Sequence, residues 1–141
     1  MKAASFFKLT AILLIGANAR PQPVPSADQP AQSEHIPGPH GLEGWTLNDS
    51  VPDHPNEKFP MTLVIARNGR ILRRFDGSAF VWKWIFWDQG RKVAYESGPF
   101  HFSLQCVLAD IKTGKELASF DCFHGIPDGA PDWLRTLETA H

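Results

Sequence analysis

Beyond residue 60 the apolar positions recur every second residue, and turn-forming residues interrupt them at short, regular intervals. That is the pattern of an antiparallel meander. In TLVIARNGRILRRF, Asn68-Gly69 separates two apolar runs, and both residues tolerate the positive φ of a tight hairpin. FVWKWIFWDQGRKVAYES repeats the arrangement around Asp88-Gln89-Gly90, and LQCVLADIKTGKELASFDCF repeats it around Thr113-Gly114. Three hairpins make about six strands, with Gly98-Pro99 as a short turn joining the second hairpin to the third. Upstream, VPDHPNEKFP is broken by three prolines and reads as loop. Downstream, APDWLRTLE has Pro131 suited to a first helical position and Trp133, Leu134 and Leu137 at helical spacing, which predicts one short C-terminal helix. The fold class expected is a small all-β domain.

The alternation in FVWKWIFW has a consequence for packing. With a type I turn at Asp88-Gln89 and a left-handed Gly90, Trp87 faces Arg91, Ile85 faces Val93 and Lys83 faces Tyr95. Phe80, Trp82, Trp84 and Phe86 then form a stripe on the other face, opposite Gly98, Glu96, Ala94 and Lys92. The stripe lacks large apolar partners within its own hairpin, and a bare row of four rings approaches the patch size that soluble monomers rarely leave exposed. Neighbouring strands, the C-terminal helix, a second copy of the chain or a ligand must cover it. Packed core or a subunit interface is the first expectation; a face that stacks on a glycan or an extended peptide is the second.

Composition divides the chain ahead of this domain. Lys2 and Lys8 flank the start of LTAILLIGA, which ends at Ala17-Asn18-Ala19, a small-x-small cleavage pattern, so Met1 to Ala19 reads as a secretory signal peptide. The apolar run is shorter than the roughly 20 residues a membrane-spanning helix needs. RPQPVPSADQPAQSEHIPGPHG, residues 20–41, holds six prolines and almost no large apolar residue, which predicts an extended, disordered linker. Fourteen of the sixteen aromatic residues fall between Trp45 and Trp133, placing the folded domain at residues 42–138. Without the signal peptide, twelve basic groups face fifteen acidic ones, a formal charge of −3 that argues against nucleic acid as a partner. The destination expected is the periplasm or the extracellular space.

The second and third hairpins together carry a likeness to a known family. FWDQGRKVAYES stands where one blade of a TolB-like or WD-repeat-like β-propeller has its aromatic-Ser-Pro-Asp-Gly-Lys-Lys-Ile-Ala turn. VLADIKTGKELASF resembles that family's strand-Asp-x-x-Thr-Gly-Lys turn and outer strand. The resemblance covers roughly residues 80–120 and implies a four-stranded, blade-like meander. Trp87-Asp88 replaces the family's Ser-Pro, and a single blade cannot close a propeller of four or more.

Cys106 and Cys122 are the only cysteines, and export would place them where disulfides form. They are symmetric about Gly114. A five-residue loop over residues 112–116 sets Cys106 opposite Cys122, whereas a tighter bulged turn sets Cys106 opposite Phe120 and the cysteines on a diagonal; the first register suits a disulfide better. A bridge closing 15 intervening residues contributes about 3 kcal/mol in the chain-entropy picture. Cys106, Cys122, His101 and His124 match no zinc spacing, so no metal or other cofactor is expected. The four arginines of ARNGRILRR read as a solvated hairpin tip. Asp53, His54 and Glu57 lie in a proline-rich stretch with no nucleophile or oxyanion donor nearby in sequence. A binding or structural role is therefore expected rather than catalysis, with a second copy, a glycan or a peptide as partner. The alternatives are a secreted hydrolase assembled around Asp53, His54 and His101, and an inactive remnant of a larger propeller.

Overall fold

The computed structural model of the chain describes residues 30–100 and 102–140, so the expected signal peptide and the first part of the expected linker lie outside it. Within these bounds the chain runs β1 (Ala31–Gln32), β2 (Ile36–Pro37), β3 (Leu42–Val51), β4 (His54–Arg67), β5 (Arg70–Asp76), β6 (Phe80–Trp87), β7 (Lys92–Gly98), β8 (Gln105–Asp110), β9 (Glu116–Asp121) and α1 (Asp132–Glu138). The strands make two antiparallel sheets. In the first, β1 and β2 both pair with β3, followed by β4 and β5; in the second, β6, β7, β8 and β9 lie side by side in chain order.

The first sheet is larger than the sequence pattern suggests. Residues 54–60, expected as loop, extend β4 into a long hairpin with β3. The prolines that argued against a strand sit where the ladder is broken. Pro52 lies in the turn, Pro60 pairs with Asn48 beside a register shift, and Pro55 falls in the interrupted stretch between Asp49↔Phe59 and Val51↔His54. A residue without an N–H is tolerated at such bulges. The folded unit also begins upstream of Leu42. Within the expected linker, Ser33 donates its backbone N–H to the Thr46 carbonyl at 3.0 Å and Gly38 donates to Leu42 at 2.8 Å. The His35 ring stacks on Trp45 with centroids 4.0 Å apart. Main-chain pairing needs no large apolar side chains, so composition gave no sign of it.

Period-two alternation accounts for the layers. Leu63 and Ile65 of β4 face the second sheet, joining Leu42, Phe75, Val81, Val93, Ala109 and Ile111 in the inter-sheet core. Val64 and Ala66, between and beyond them, pack with Trp45 on the other face. The second sheet is likewise covered twice: Val93 and Ala109 point to the first sheet, while Ala94 and Leu108 meet Trp133, Leu134 and Leu137 of α1. Burying each of those three helix side chains is worth about 1.5–3 kcal/mol, enough to hold a helix too short to persist alone.

Turn geometry sets the registers, and two of them differ from expectation. Asn68 (φ 50°) and Gly69 (φ 78°) form the expected tight turn, with Arg67 opposite Arg70. The β6–β7 connection, however, uses four residues. Asp88, Gln89 and Gly90 all take positive φ, which places Trp87 opposite Lys92, Ile85 opposite Ala94 and Lys83 opposite Glu96. Asp88 holds the turn through Arg91 and through Lys92, 3.0 Å away. Hydrogen bonds from these two cations keep its carboxyl below the usual carboxylate range.

The β8–β9 connection runs from Asp110 to Lys115. The Asp110 carboxylate accepts the Thr113 backbone N–H (2.7 Å) and hydroxyl (2.8 Å), which also lower its pKa. A bulge at Leu117 then sets Cys106 opposite Phe120, the tighter of the two registers considered, not opposite Cys122. The disulfide nonetheless joins Cys106 and Cys122, with Cα atoms 5.9 Å apart. Cys122 lies just past the end of β9, anchored by its N–H to the Leu104 carbonyl at 2.8 Å, and the ladder no longer dictates its spacing from β8.

Two outcomes follow from these contacts. Gln89 holds a left-handed conformation (φ 54°) that costs a non-glycine residue about 1–2 kcal/mol, partly offset in glycine by about 0.4–1 kcal/mol of unfolded-chain entropy. Gln89→Gly is expected to raise the urea midpoint, a gain of about 0.5–1 kcal/mol. Tyr95 is the only tyrosine, packed 5.7 Å from Phe75; burial first, and then the charges of Glu116 and Asp76, raise its pKa. A raised folded-state pKa means stabilisation that is full below the free tyrosine value of about 10 and is lost as pH climbs through the folded value. Phenolate absorbance of the native protein should therefore rise at higher pH than that of the unfolded chain, and Tyr95→Phe should flatten the alkaline loss of stability.

Candidate functional site

The four rings expected to form one stripe are divided by a bulge. Val81 pairs with Ser97 and Lys83 with Glu96, leaving Trp82 as the extra residue of β6. One inserted residue reverses the alternation beyond it. Phe80 and Trp82 accordingly form one pair, with centroids 5.0 Å apart, and join Phe59 and Phe100 in an aromatic cluster. Trp84 and Phe86 form a second pair, edge to face at 5.3 Å, packed on the inter-sheet core. Ile85 and Trp87 turn the other way, toward α1.

The cover for Trp84 and Phe86 comes from the first sheet and from the segment just ahead of it. A Cβ on Gly44 of β3 would stand 2.5 Å from the tip of the Trp84 indole, and a Cβ on Gly38 would overlap the Phe86 ring. Both rings therefore rest on bare backbone. Phe80 is buried outright, at 3% exposure. Trp82 and Trp84 retain partial exposure, and between them opens a cleft of about 260 Å³.

Four chain segments line this cleft: Val81, Trp82, Lys83 and Trp84 of β6, Thr46 and Asn48 of β3, Pro60 of β4, and Ser33, Glu34 and Ile36 ahead of β3. Trp82 is fixed by its indole N–H, which donates to the Gly98 carbonyl at 3.0 Å. The Lys83 ammonium donates to the Glu138 carbonyl at 3.1 Å, which carries its charge to the end of α1. Across the gap the Ser33 hydroxyl oxygen accepts the Thr46 backbone N–H at 2.8 Å, and the Thr46 hydroxyl donates to the Asn48 side-chain oxygen at 2.8 Å. Asn48 is thereby oriented, its amide NH₂ without a side-chain partner among the described residues, and Glu34 adds an exposed carboxylate. Two partly exposed tryptophans thus share a cleft with several hydrogen-bonding groups.

The other candidates from the sequence are not assembled into a site among the described residues. His54 Nδ1 lies 3.4 Å from Glu57 at the β3–β4 tip, both side chains about half exposed, with the His54 ring against Phe59 and Phe100. His101 lies outside the described residues. The disulfide occupies both thiols of the candidate metal set. No group of three or more potential metal-ligating side chains occurs among the described residues. Sequence reasoning missed Ser33, Glu34, Thr46 and Asn48. The first two sit in the proline-rich segment, and the other two become neighbours of β6 only when the sheets pack.

Comparison with known proteins finds no family model, curated protein or solved structure that matches the chain.

Gly44→Ala tests the floor under Trp84. The added methyl would meet the indole at 2.5 Å and Ile65 Cδ1 at 3.1 Å, so overpacking should cost about 1–3 kcal/mol in urea unfolding and shift native tryptophan emission.

Proposed function

We propose that the protein is a non-catalytic binding module whose cleft between Trp82 and Trp84 receives one ring of an extracytoplasmic glycan. The observation that carries this reading is the juxtaposition of two partly exposed indoles with Ser33, Glu34, Thr46 and Asn48 across a gap of about 260 Å³. The C–H face of a sugar stacks on a flat aromatic ring, and its hydroxyls both donate and accept, as this mixed wall requires. The volume of about 260 Å³ lies just below the usual range for small-molecule sites, roughly 300–1,000 Å³, and suits a single ring. Export after cleavage behind Ala19 belongs to the same proposal. The Cys106–Cys122 disulfide supports it, since such bonds persist in oxidising compartments. No helix among the described residues is long and apolar enough to cross a membrane.

The likeness of residues 80–120 to a propeller blade gains support from β6 to β9, four antiparallel strands in chain order. In a propeller the two faces of a blade pack on neighbouring blades. Here the first sheet and α1 take those places, which favours a self-contained unit over an assembly of several copies.

Titration of the oxidised protein with neutral oligosaccharides, followed by tryptophan emission, tests the proposal. Saturable binding is expected for at least one sugar, weakened tenfold or more by Trp82→Ala, a loss of about 1.4 kcal/mol or greater. Trp87→Phe, on the α1 side, should leave the affinity unchanged. Failure of every sugar to perturb emission would overturn the reading, as would equal affinity in the Trp82→Ala protein.

A further inference from the structure

A second, larger cleft of about 490 Å³ lies where the β4–β5, β6–β7 and β8–β9 turns converge. Its apolar walls are Leu72 and Ile111, and Arg67, Arg91 and Lys112 bring positive charge from three different turns. Arg91 is engaged by Asp88. Arg67 and Lys112 have no acidic partner within 4.0 Å among the described residues, and Arg67 stands directly opposite Arg70 in the hairpin ladder. Like charges placed opposite one another destabilise a strand pair unless something neutralises them. The acidic group on the wall, Asp110, accepts two hydrogen bonds from Thr113 within its own loop and feels the Lys112 charge there, without a direct ion pair.

The cleft is also held in shape. Arg73 donates from Nε to the Ile111 carbonyl at 3.2 Å and from Nη2 to the Lys112 carbonyl, fastening the β8–β9 turn to β5. Ile111 N–H donates to the Arg91 carbonyl at 3.0 Å, joining that turn to the β6–β7 turn. Arg73 satisfies carbonyls, so the cations left facing the cleft are those an incoming anion would meet.

We propose that this cleft binds a small organic anion with an apolar body: Arg67 and Lys112 pair with the charged head, and Leu72 and Ile111 receive the body. A carboxylate and a phosphate monoester share that chemistry. Arginine's planar fork matches either head, and lysine adds a point charge. The site is separate from the tryptophan cleft and does not rest on the glycan reading.

Four probes decide the matter, added to the ¹⁵N-labelled oxidised protein and followed by amide shifts: phenylacetate, benzyl phosphate, benzyl alcohol and inorganic phosphate. At least one of the first two should saturate the amides of residues 67, 72, 91, 111 and 112, at tenfold or more higher affinity than benzyl alcohol or inorganic phosphate. Which of the two binds better identifies the head group. R67Q and K112Q should each weaken that probe fivefold or more without lowering the melting temperature, and K112R should restore most of the loss. Equal binding of benzyl alcohol would reduce the site to an apolar crevice, and equal binding of inorganic phosphate to a spot of charge. Either result, or no saturable shift with any probe, overturns the proposal; because these comparisons use the unsubstituted protein, they hold even if a variant fails to fold.

Discussion

The contact of the Trp84 indole with the bare backbone of Gly44, and of the Phe86 ring with Gly38, governs how the two sheets meet. An edge strand that carries three tryptophans and two phenylalanines in eight residues cannot be covered by ordinary side chains at the usual sheet separation of about 10 Å. Glycines opposite the rings solve the problem of thickness, since removing two Cβ atoms makes room for two large planes. Leu42, Leu63 and Ile65 then share one buried cluster with Val81, Val93 and Ala109, and the core closes. The segment ahead of β3 becomes part of the fold because one of those glycines lies in it.

The bulge at Trp82 gives the same strand two roles. Beyond it, Trp84 and Phe86 turn to the first sheet while Ile85 and Trp87 turn to α1, so both faces of the second sheet acquire a hydrophobic partner. At the bulge itself, Trp82 is left outside the ladder, held by its indole N–H and by ring contacts with Phe80 and Phe100. A residue released from pairing in this way is free to line a cleft, and bulges are commonly used to aim side chains at ligand sites.

The three hairpins from β4 to β9 and the helix were largely legible in the sequence, because both depend on local signals. Asn68-Gly69 marked its turn through the backbone freedom of those two residues, and the spacing of Trp133, Leu134 and Leu137 marked the buried side of α1. Registers were less legible. Asp88 and Gln89 adopt left-handed geometry that neither side chain favours strongly, and the bulges at Trp82 and Leu117 carry no glycine to announce them. Proline misled most, since Pro55 and Pro60 stand in a strand wherever its ladder happens to be interrupted. The cleft could be read only by half: its rings were conspicuous, whereas Ser33, Glu34, Thr46 and Asn48 reach it through contacts between distant parts of the chain.

The diagonal disulfide also acts as a tether. Cys122 precedes the first residue of α1 by ten positions and Cys106 precedes it by 26, so the bridge shortens the chain path from the sheet core to the helix. In loop-closure entropy that difference is worth about 0.8 kcal/mol, a severalfold rise in the effective concentration of the helix at its docking face. Oxidation is thereby coupled to the packing of Trp133, Leu134 and Leu137, which share one buried cluster with the bridged cysteines.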